Sequence, residues 1–296
     1  MSRFVIALAA IALVSCGAPK SSVSGKNGSQ IMGGTEVKDG AQIAKSIVAL
    51  WDREMKAVCT ATIIAENFIV TAAHCANKPQ HLKVVFGAEM DYYLNSHEDD
   101  ILQMHVRQVT DVVVHEDYDE ELNEKKNTDH NDIALMRFAG KLPEGYEPVT
   151  FLPDDSVLQK GVRTYLAGYG VDFVDSQEID PRKVKNIKKA IESGEIECDD
   201  DLRYCVKITT SGDGILRETS AIINLIGLTE VVVDESKGHG TCMGDSGGPA
   251  FVKWENVYYL YGVTSRGSPM CDGKGIYTNA VYFRPWLEQH MARLRR

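Results

Sequence analysis

The sequence predicts an all-β fold built as one compact unit and closed by a terminal helix. Eight short segments rich in β-branched and aromatic residues, at 46–51, 57–64, 82–87, 109–114, 133–138, 162–167, 229–233 and 258–265, are separated by turn residues. No internal repeat or second linker interrupts residues 31–296, a stretch long enough to bury a sizeable core. Residues 284–296 carry Pro285 near the first turn and Trp286, Leu287, Met291 and Leu294 at helical spacing. That pattern predicts an amphipathic helix whose apolar stripe packs on the body.

The chain begins differently. Arg3 precedes an apolar run over 4–14 that is too short to span a bilayer as a permanent helix. Leu13-Val14-Ser15-Cys16 resembles a bacterial lipoprotein processing site. The resemblance implies a signal peptide over 1–15 and lipid attachment at Cys16, with the membrane as a partner before processing. Gly17 in place of aspartate leans toward the outer membrane of a bacterial cell envelope. An ordinary secretory signal with an incidental Cys16 is the alternative, and both readings export the domain. Residues 17–30 are rich in Ser, Gly, Lys and Asn and hold no acidic or aromatic residue, so 16–30 reads as a flexible tether or propeptide.

The formal net charge is −10. Residues 1–30 contribute Arg3, Lys20 and Lys26 and no acid, which leaves the remainder more acidic still and disfavours a nucleic-acid partner. Of seven cysteines, setting Cys16 aside leaves an even six, consistent with pairing in an oxidising compartment. No His or Cys stands at zinc-like spacing, so no metal or cofactor is expected.

Three segments carry chemistry: Thr71-Ala72-Ala73-His74-Cys75, Asp132-Ile133-Ala134-Leu135 and Gly244-Asp245-Ser246-Gly247-Gly248-Pro249. A serine hydroxyl becomes a strong nucleophile when a base takes its proton and a carboxylate fixes the tautomer of that base. Asp132 fits better than Asp129, because only Asp132 leads into the apolar run over 133–136 that would plant it at the edge of a buried strand. His115 reads as structural and His130 as an exposed loop residue.

Together these segments resemble the chymotrypsin/trypsin-like serine endopeptidases, and Ile31-Met32-Gly33-Gly34, Ser265 and Gly267 extend the likeness from residue 31 to the end. The resemblance implies two six-stranded antiparallel β-barrels with the active site between them and a C-terminal helix. It implies hydrolysis of protein or peptide substrates through an acyl-enzyme, with Ser246 as nucleophile, His74 as base and Asp132 orienting the base. The N–H groups of Gly244 and Ser246 would form the oxyanion hole. It pairs Cys59 with Cys75 and Cys242 with Cys271, leaving Cys198 and Cys205 for a local bridge in a segment the family does not usually have. A monomer is expected. A catalytically silent binding protein on the same fold is the rival, and the intact triad weighs against it.

The same resemblance implies a precursor. Asp245 beside the nucleophile would be buried and needs a partner; cleavage between Gln30 and Ile31 would free an α-amino group to supply it. Many family precursors are cut after arginine or lysine, whereas Ser29-Gln30 stands here and the last basic residue is Lys26. A separate activating protease, not a trypsin-like one, is therefore expected.

Specificity is read from Gly240, which stands where trypsin-like members carry aspartate. With small walls at Gly267 and Gly275 and a weak polar contact from Thr241, a bulky apolar residue is expected at P1, the substrate residue before the scissile bond. A narrower aliphatic or polar preference stays open, as does a basic P1 through Asp272 or another loop acid. Arg266 replaces the usual tryptophan between Ser265 and Gly267, on the edge strand expected to pair with substrate backbone. It either favours acidic P2 and P4 groups or points into solvent. Beyond Gly168-Tyr169-Gly170, the insertion at about 171–213 includes a charged, helix-compatible stretch over 181–191. It either meets a partner or covers the cleft, or is a surface elaboration. The acidic segment 91–100 only loosely resembles the calcium loop of some members, without fixed ligand spacing.

Overall fold

The computed structural model describes residues 31, 33–119, 129–192, 196–199, 201–268 and 270–296. The signal read at 1–15, Cys16, the tether over 16–30 and Gln30 lie outside the described residues.

The first barrel closes through Ile47–Asp52, Ala57–Ala65, Phe68–Thr71, Ala134–Phe138, Val106–Val114 and Leu82–Val85, in that spatial order. All six junctions are antiparallel. Alternation explains why its strands read as continuous apolar runs. Side chains of successive residues point to opposite faces, and here both faces are covered. Val48, Leu50, Ile63, Ile69 and Met136 fill the barrel, while Ile47, Ala49, Val70 and Leu135 join a second cluster with Leu260, Val263 and Leu287 from the other half of the molecule.

The second barrel runs Arg163–Gly168, Arg217–Ile226, Glu230–Asp234, Lys274–Asn279, Val257–Arg266 and Pro249–Trp254, and closes back on Arg163–Gly168. Leu166, Ile223, Val231, Val233, Tyr261 and Tyr277 form its core. The fold is thus the expected pair of six-stranded antiparallel barrels followed by a helix.

The helix is Ala280–Leu294 and starts a full turn before the expected boundary. Asn279 explains the earlier start, because its side chain accepts from the N–H groups of Val281 and Tyr282. Pro285 consequently lies inside the helix, not in its first turn. The stripe behaves as expected: Leu287 and Met291 are buried, with Trp286 and Leu294 packed beside them.

The insertion forms its own antiparallel sheet of Phe173–Ile179, Cys205–Ser211 and Ile196–Cys198. Cys198 and Cys205 face each other across two of its strands and are disulfide-bonded. A 3-10 turn at Pro181–Lys183 and a short helix at Ile187–Glu192 occupy the charged stretch. The sheet is moored to the second barrel: Val171 N–H donates to Met243 O at 2.9 Å, and Asp172 pairs with the buried Arg217 at 3.1 Å. The acidic segment 91–100 is not an open loop, since short helices at Met90–Leu94 and Asp99–His105 account for most of it. Among the described residues, no helix is long and apolar enough to cross a membrane.

Candidate active site

Neighbouring strands of the first barrel bring His74 and Asp132 together. Phe68–Thr71 pairs with Ala134–Phe138, Thr71 opposite Ala134. His74 lies on the 3-10 turn Ala73–Cys75 just after the first strand, and Asp132 lies just before the second. The Cys59–Cys75 disulfide fastens the His74 turn to Ala57–Ala65. His74 Nδ1 and Asp132 Oδ2 are 2.8 Å apart, and the His74 backbone N–H donates to Oδ1 at 3.1 Å.

The second barrel completes the setting. Ser265 Oγ donates to Asp132 Oδ2 at 2.7 Å, and Thr278 Oγ1 donates to the Asp132 carbonyl at 2.8 Å. Burial alone would raise the Asp132 pKa, but the hydrogen bonds and charge attraction from His74, with the bond from Ser265, hold it below the ordinary carboxylate range. An ionised Asp132 keeps the proton on Nδ1, which makes Nε2 the nitrogen that can act as a base.

Ser246 comes from the second barrel and is pinned to the first, since Thr60 N–H donates to Ser246 O at 2.8 Å. Before it, Gly244 has φ 96°, in the left-handed region, and a Cβ there would meet Gly170 Cα at 2.9 Å. Thr60 Oγ1 holds the Gly244 carbonyl at 3.0 Å. Among the described residues, the N–H groups of Gly244 and Ser246 are not spent on bonds within the chain. They remain available to a developing oxyanion.

A family model described as Trypsin matches residues 31–287. The chain belongs to the trypsin family. Vitamin K-dependent protein C of Oryctolagus cuniculus is 26% identical over 257 residues, covering 82% of this chain and 49% of that relative. The CLIP domain-containing serine protease B4 of Anopheles gambiae is 26% identical over 247 residues, covering 79% of this chain and 62% of its own length. The chain therefore spans less than two thirds of either relative.

Other carboxylates and histidines of this trypsin-family chain have different partners. The Asp129 carboxylate accepts from Thr229 Oγ1. His115 packs on Phe283 and Trp286, and burial lowers its pKa. His130 is buried, contrary to the exposed loop position expected, and its N–H donates to Glu230 Oε1 at 3.2 Å. Cys59, His74 and Cys75 are close enough to suggest a metal site, but both sulfurs are spent in the disulfide.

Asp245 is fully buried, and its carboxylate accepts from the N–H groups of Gly170 at 2.8 Å and Cys242 at 2.9 Å. Burial pushes it up to about 7, against those two bonds, with nearby Glu235 adding to the rise and Arg217 opposing it. Ile31 is also fully buried.

A cavity opens beside Ser246, walled by Thr241, Cys242, Met243, Ser265, Gly267 and Cys271. The Cys242–Cys271 disulfide is part of its wall. No carboxylate lines the cavity, but one lies behind its wall, hydrogen-bonded to Thr241 at 3.3 Å. Gly240 itself carries no charge, but the side chain of Glu235 occupies the space a residue-240 side chain would fill: a Cβ on Gly240 would meet Glu235 carbons at 2.6 Å. A Cβ on Gly275 would overlap the Glu235 carboxylate from the other side. The two glycines, neither of which lines the cavity, therefore make room for an acid instead of forming the floor and wall expected of them. Asp272, the acid the sequence pointed to, is exposed and accepts from Ser268 Oγ at 2.8 Å.

Arg266 is half-buried and grips Glu230 with both terminal nitrogens, at 2.8 and 3.0 Å. Sequence reasoning missed Glu230 and Glu235. A signal for Glu235 existed: Val231, Val233 and Glu235 share one parity, and all three are buried.

Proposed function

We propose that this protein is a serine endopeptidase acting on proteins or peptides through an acyl-enzyme intermediate. The observation that carries the reading is the His74–Asp132 pair, its carboxylate fixed by donors from both barrels. In this reading Ser246 Oγ attacks the scissile carbonyl while His74 Nε2 takes its proton, and the same proton passes to the leaving amine. Gly244 and Ser246 N–H hold the oxyanion, where losing one donor typically costs about 3 kcal/mol of transition-state stabilisation. Water then enters with His74 again as base and frees Ser246.

The chain is proposed to be made as a precursor. Asp245 is buried without a full counter-charge, and Ile31 is buried too. A cut between Gln30 and Ile31 by a separate protease would give Ile31 an ammonium able to pair with Asp245 and so steady the oxyanion loop. The signal at 1–15 and Cys16 support anchoring in the bacterial envelope, at the outer membrane, with release of the domain on that cut.

At P1, the apolar preference expected from Gly240 is given up in favour of the basic alternative, because the buried Glu235 carboxylate fills the space beside Gly240. The test of the activity is a fluorophosphonate probe, together with an unselective protein substrate, on chain confirmed to begin at Ile31. Labelling at Ser246 with turnover is expected. Absence of both would return the protein to the silent binding-protein reading.

A further inference from the structure

Glu235 is an acid where its neighbours prescribe an apolar residue. Strand alternation buries Val231 and Val233, and Glu235, next on that face, is buried with them. A carboxyl group in such a place is costly unless it is bonded or serves a ligand. Its Oε1 accepts from Tyr277 OH at 2.5 Å and from Thr241 Oγ1 at 3.3 Å. The ionisable groups around it are the hydroxyls of Tyr277 and Tyr261 on adjoining strands and the Asp245 carboxyl on the nucleophile loop. Among the described residues no lysine, arginine or histidine forms an ion pair with it. Glu235 therefore has no cationic partner of its own among the described residues, and Arg266, which also lines the cavity, is held by Glu230.

Its position joins this deficit to the pocket. Thr241 lines the cavity beside Ser246, and the same Thr241 hydroxyl bonds Glu235. A substrate side chain that reaches Thr241 thus arrives next to the carboxylate. Gly240 and Gly275 are the residues whose missing Cβ atoms let the glutamate occupy this place.

We infer that Glu235, reaching the foot of the pocket through the space left by Gly240 and Gly275, selects lysine or arginine at P1. This rests on the reading of the protein as a serine endopeptidase. A long cationic side chain supplies the counter-charge that the buried acid lacks, and Thr241 Oγ1 adds a hydrogen-bond partner at the same depth. An aromatic or aliphatic P1 gains apolar burial but leaves the carboxyl group unpaired. Burial also pushes Glu235 up to about 7, despite the bonds from Tyr277 and Thr241, so the group is poised to ionise as a cation enters near neutral pH.

Two measurements test the assignment. In the first, p-aminobenzamidine is titrated by fluorescence into Ser246→Ala chain cleaved before Ile31, with Glu235 intact or replaced by Gln; this reads the pocket without turnover. Binding to the Glu235 chain is expected, with affinity about a hundredfold weaker for Glu235→Gln, the scale for removing the partner of a buried charge. In the second, cleaved chain with Ser246 intact is profiled on a mixed peptide library, where cleavage after lysine and arginine is expected to dominate. The ratio of kcat/KM for arginine over phenylalanine should fall by a comparable factor in Glu235→Gln. The pair Glu235→Gly with Gly240→Asp, which moves the carboxylate to the other chain position, should restore it. Equal arylamidine affinity with and without Glu235, or dominant cleavage after apolar or small residues, overturns the inference. Glu235-dependent arylamidine binding without peptide cleavage would support the assignment of the acid and defeat the endopeptidase reading instead.

Discussion

Arg266 and Glu230 form a two-pronged ion pair, with Nη1–Oε1 at 2.8 Å and Nη2–Oε2 at 3.0 Å. Glu230 Oε1 also accepts the His130 N–H at 3.2 Å. The strand expected to pair with substrate is thereby tied to the loop leading into Asp132. Neither of the sequence expectations for Arg266 describes this arrangement, because the guanidinium is neither loose in solvent nor free to attract an acid.

A first prediction follows from that neutralised charge. Library profiling of the cleaved enzyme should show no enrichment of Asp or Glu at P2 or P4. Glu230→Gln should release Arg266 and produce roughly a two- to fivefold enrichment, the range for a partly exposed charge pair. An unchanged profile would mean that Arg266 does not face substrate.

The triad gives a graded series. Ser246→Ala should abolish turnover while leaving the melting temperature nearly unchanged, since it removes one hydroxyl. Asp132→Asn should lower kcat by about 10⁴-fold by favouring the wrong imidazole tautomer. Ser265→Ala removes one bond to the charged Asp132 and should cost roughly tenfold, in line with about 1.5 kcal/mol for such a bond. Steady-state kinetics on one peptide would check the order, and a Ser265→Ala loss as large as that of Asp132→Asn would contradict it.

Asp245 predicts a pH dependence for the uncut chain. Its folded pKa of about 7 lies above the ordinary carboxylate value, so the folded form keeps a proton that the unfolded form has released. Stability should therefore fall as pH rises from the ordinary carboxylate range to about 7, then level off, by on the order of 2 kcal/mol between pH 5 and 7 for one such group. Glu235 contributes with the same sign, while Arg217 opposes the rise in Asp245. Urea unfolding of uncut Ser246→Ala chain should show a flatter slope once Asp245→Asn is added. Cleavage before Ile31 should flatten it as well, by supplying an ammonium.

Two disulfides differ in what they restrain. Cys198–Cys205 closes a sequence separation of 7, and Cys242–Cys271 one of 29. Chain entropy assigns them about 2.5 and about 3.6 kcal/mol. Alanine replacement of the first pair should lower stability modestly with P1 selectivity intact, whereas loss of the second should disturb both, because it forms part of the pocket wall. Denaturation and library profiling of the two double variants would decide, and altered selectivity on loss of Cys198–Cys205 would count against this separation of roles.

The anchor is tested by fractionating cells that express the natural chain and Cys16→Ala. The natural precursor should be membrane-bound with an acylated Cys16 peptide by mass spectrometry, the variant soluble. Identical soluble behaviour of both would remove the lipid reading.

What the sequence disclosed depended on how a residue signals its place. Runs such as Ile47–Asp52 and Val257–Arg266 announce themselves through β-branched and aromatic content. Arg217–Ile226 was missed although it alternates cleanly, because Arg217 and Thr219 sit on the buried face. Pro249–Trp254 begins at a proline and Lys274–Asn279 contains a glycine, both read locally as turn residues. The residues forming the His74–Asp132 pair were legible because their motifs are local. The place of Glu235 was not, since only folding brings Gly275, on the strand Lys274–Asn279, against the loop that carries Glu235 and Gly240. His130 was misjudged for a related reason: its N–H is held by Glu230, on a strand far along the chain.

The interlock of Glu235 with Gly240 also constrains how this chain can diverge. Placing an aspartate at 240 while Glu235 remains forces a Cβ to within 2.6 Å of the glutamate side chain. Removing Glu235 first leaves two glycines around a neutral hollow, a state with no acid at either position. The path from one acidic floor to the other therefore crosses either a clash or a loss of charge, and the order of substitutions matters. Directed evolution that selects at every round for arginine cleavage should keep Glu235 and Gly240 together or exchange both in one step, so the two positions act as a single heritable unit.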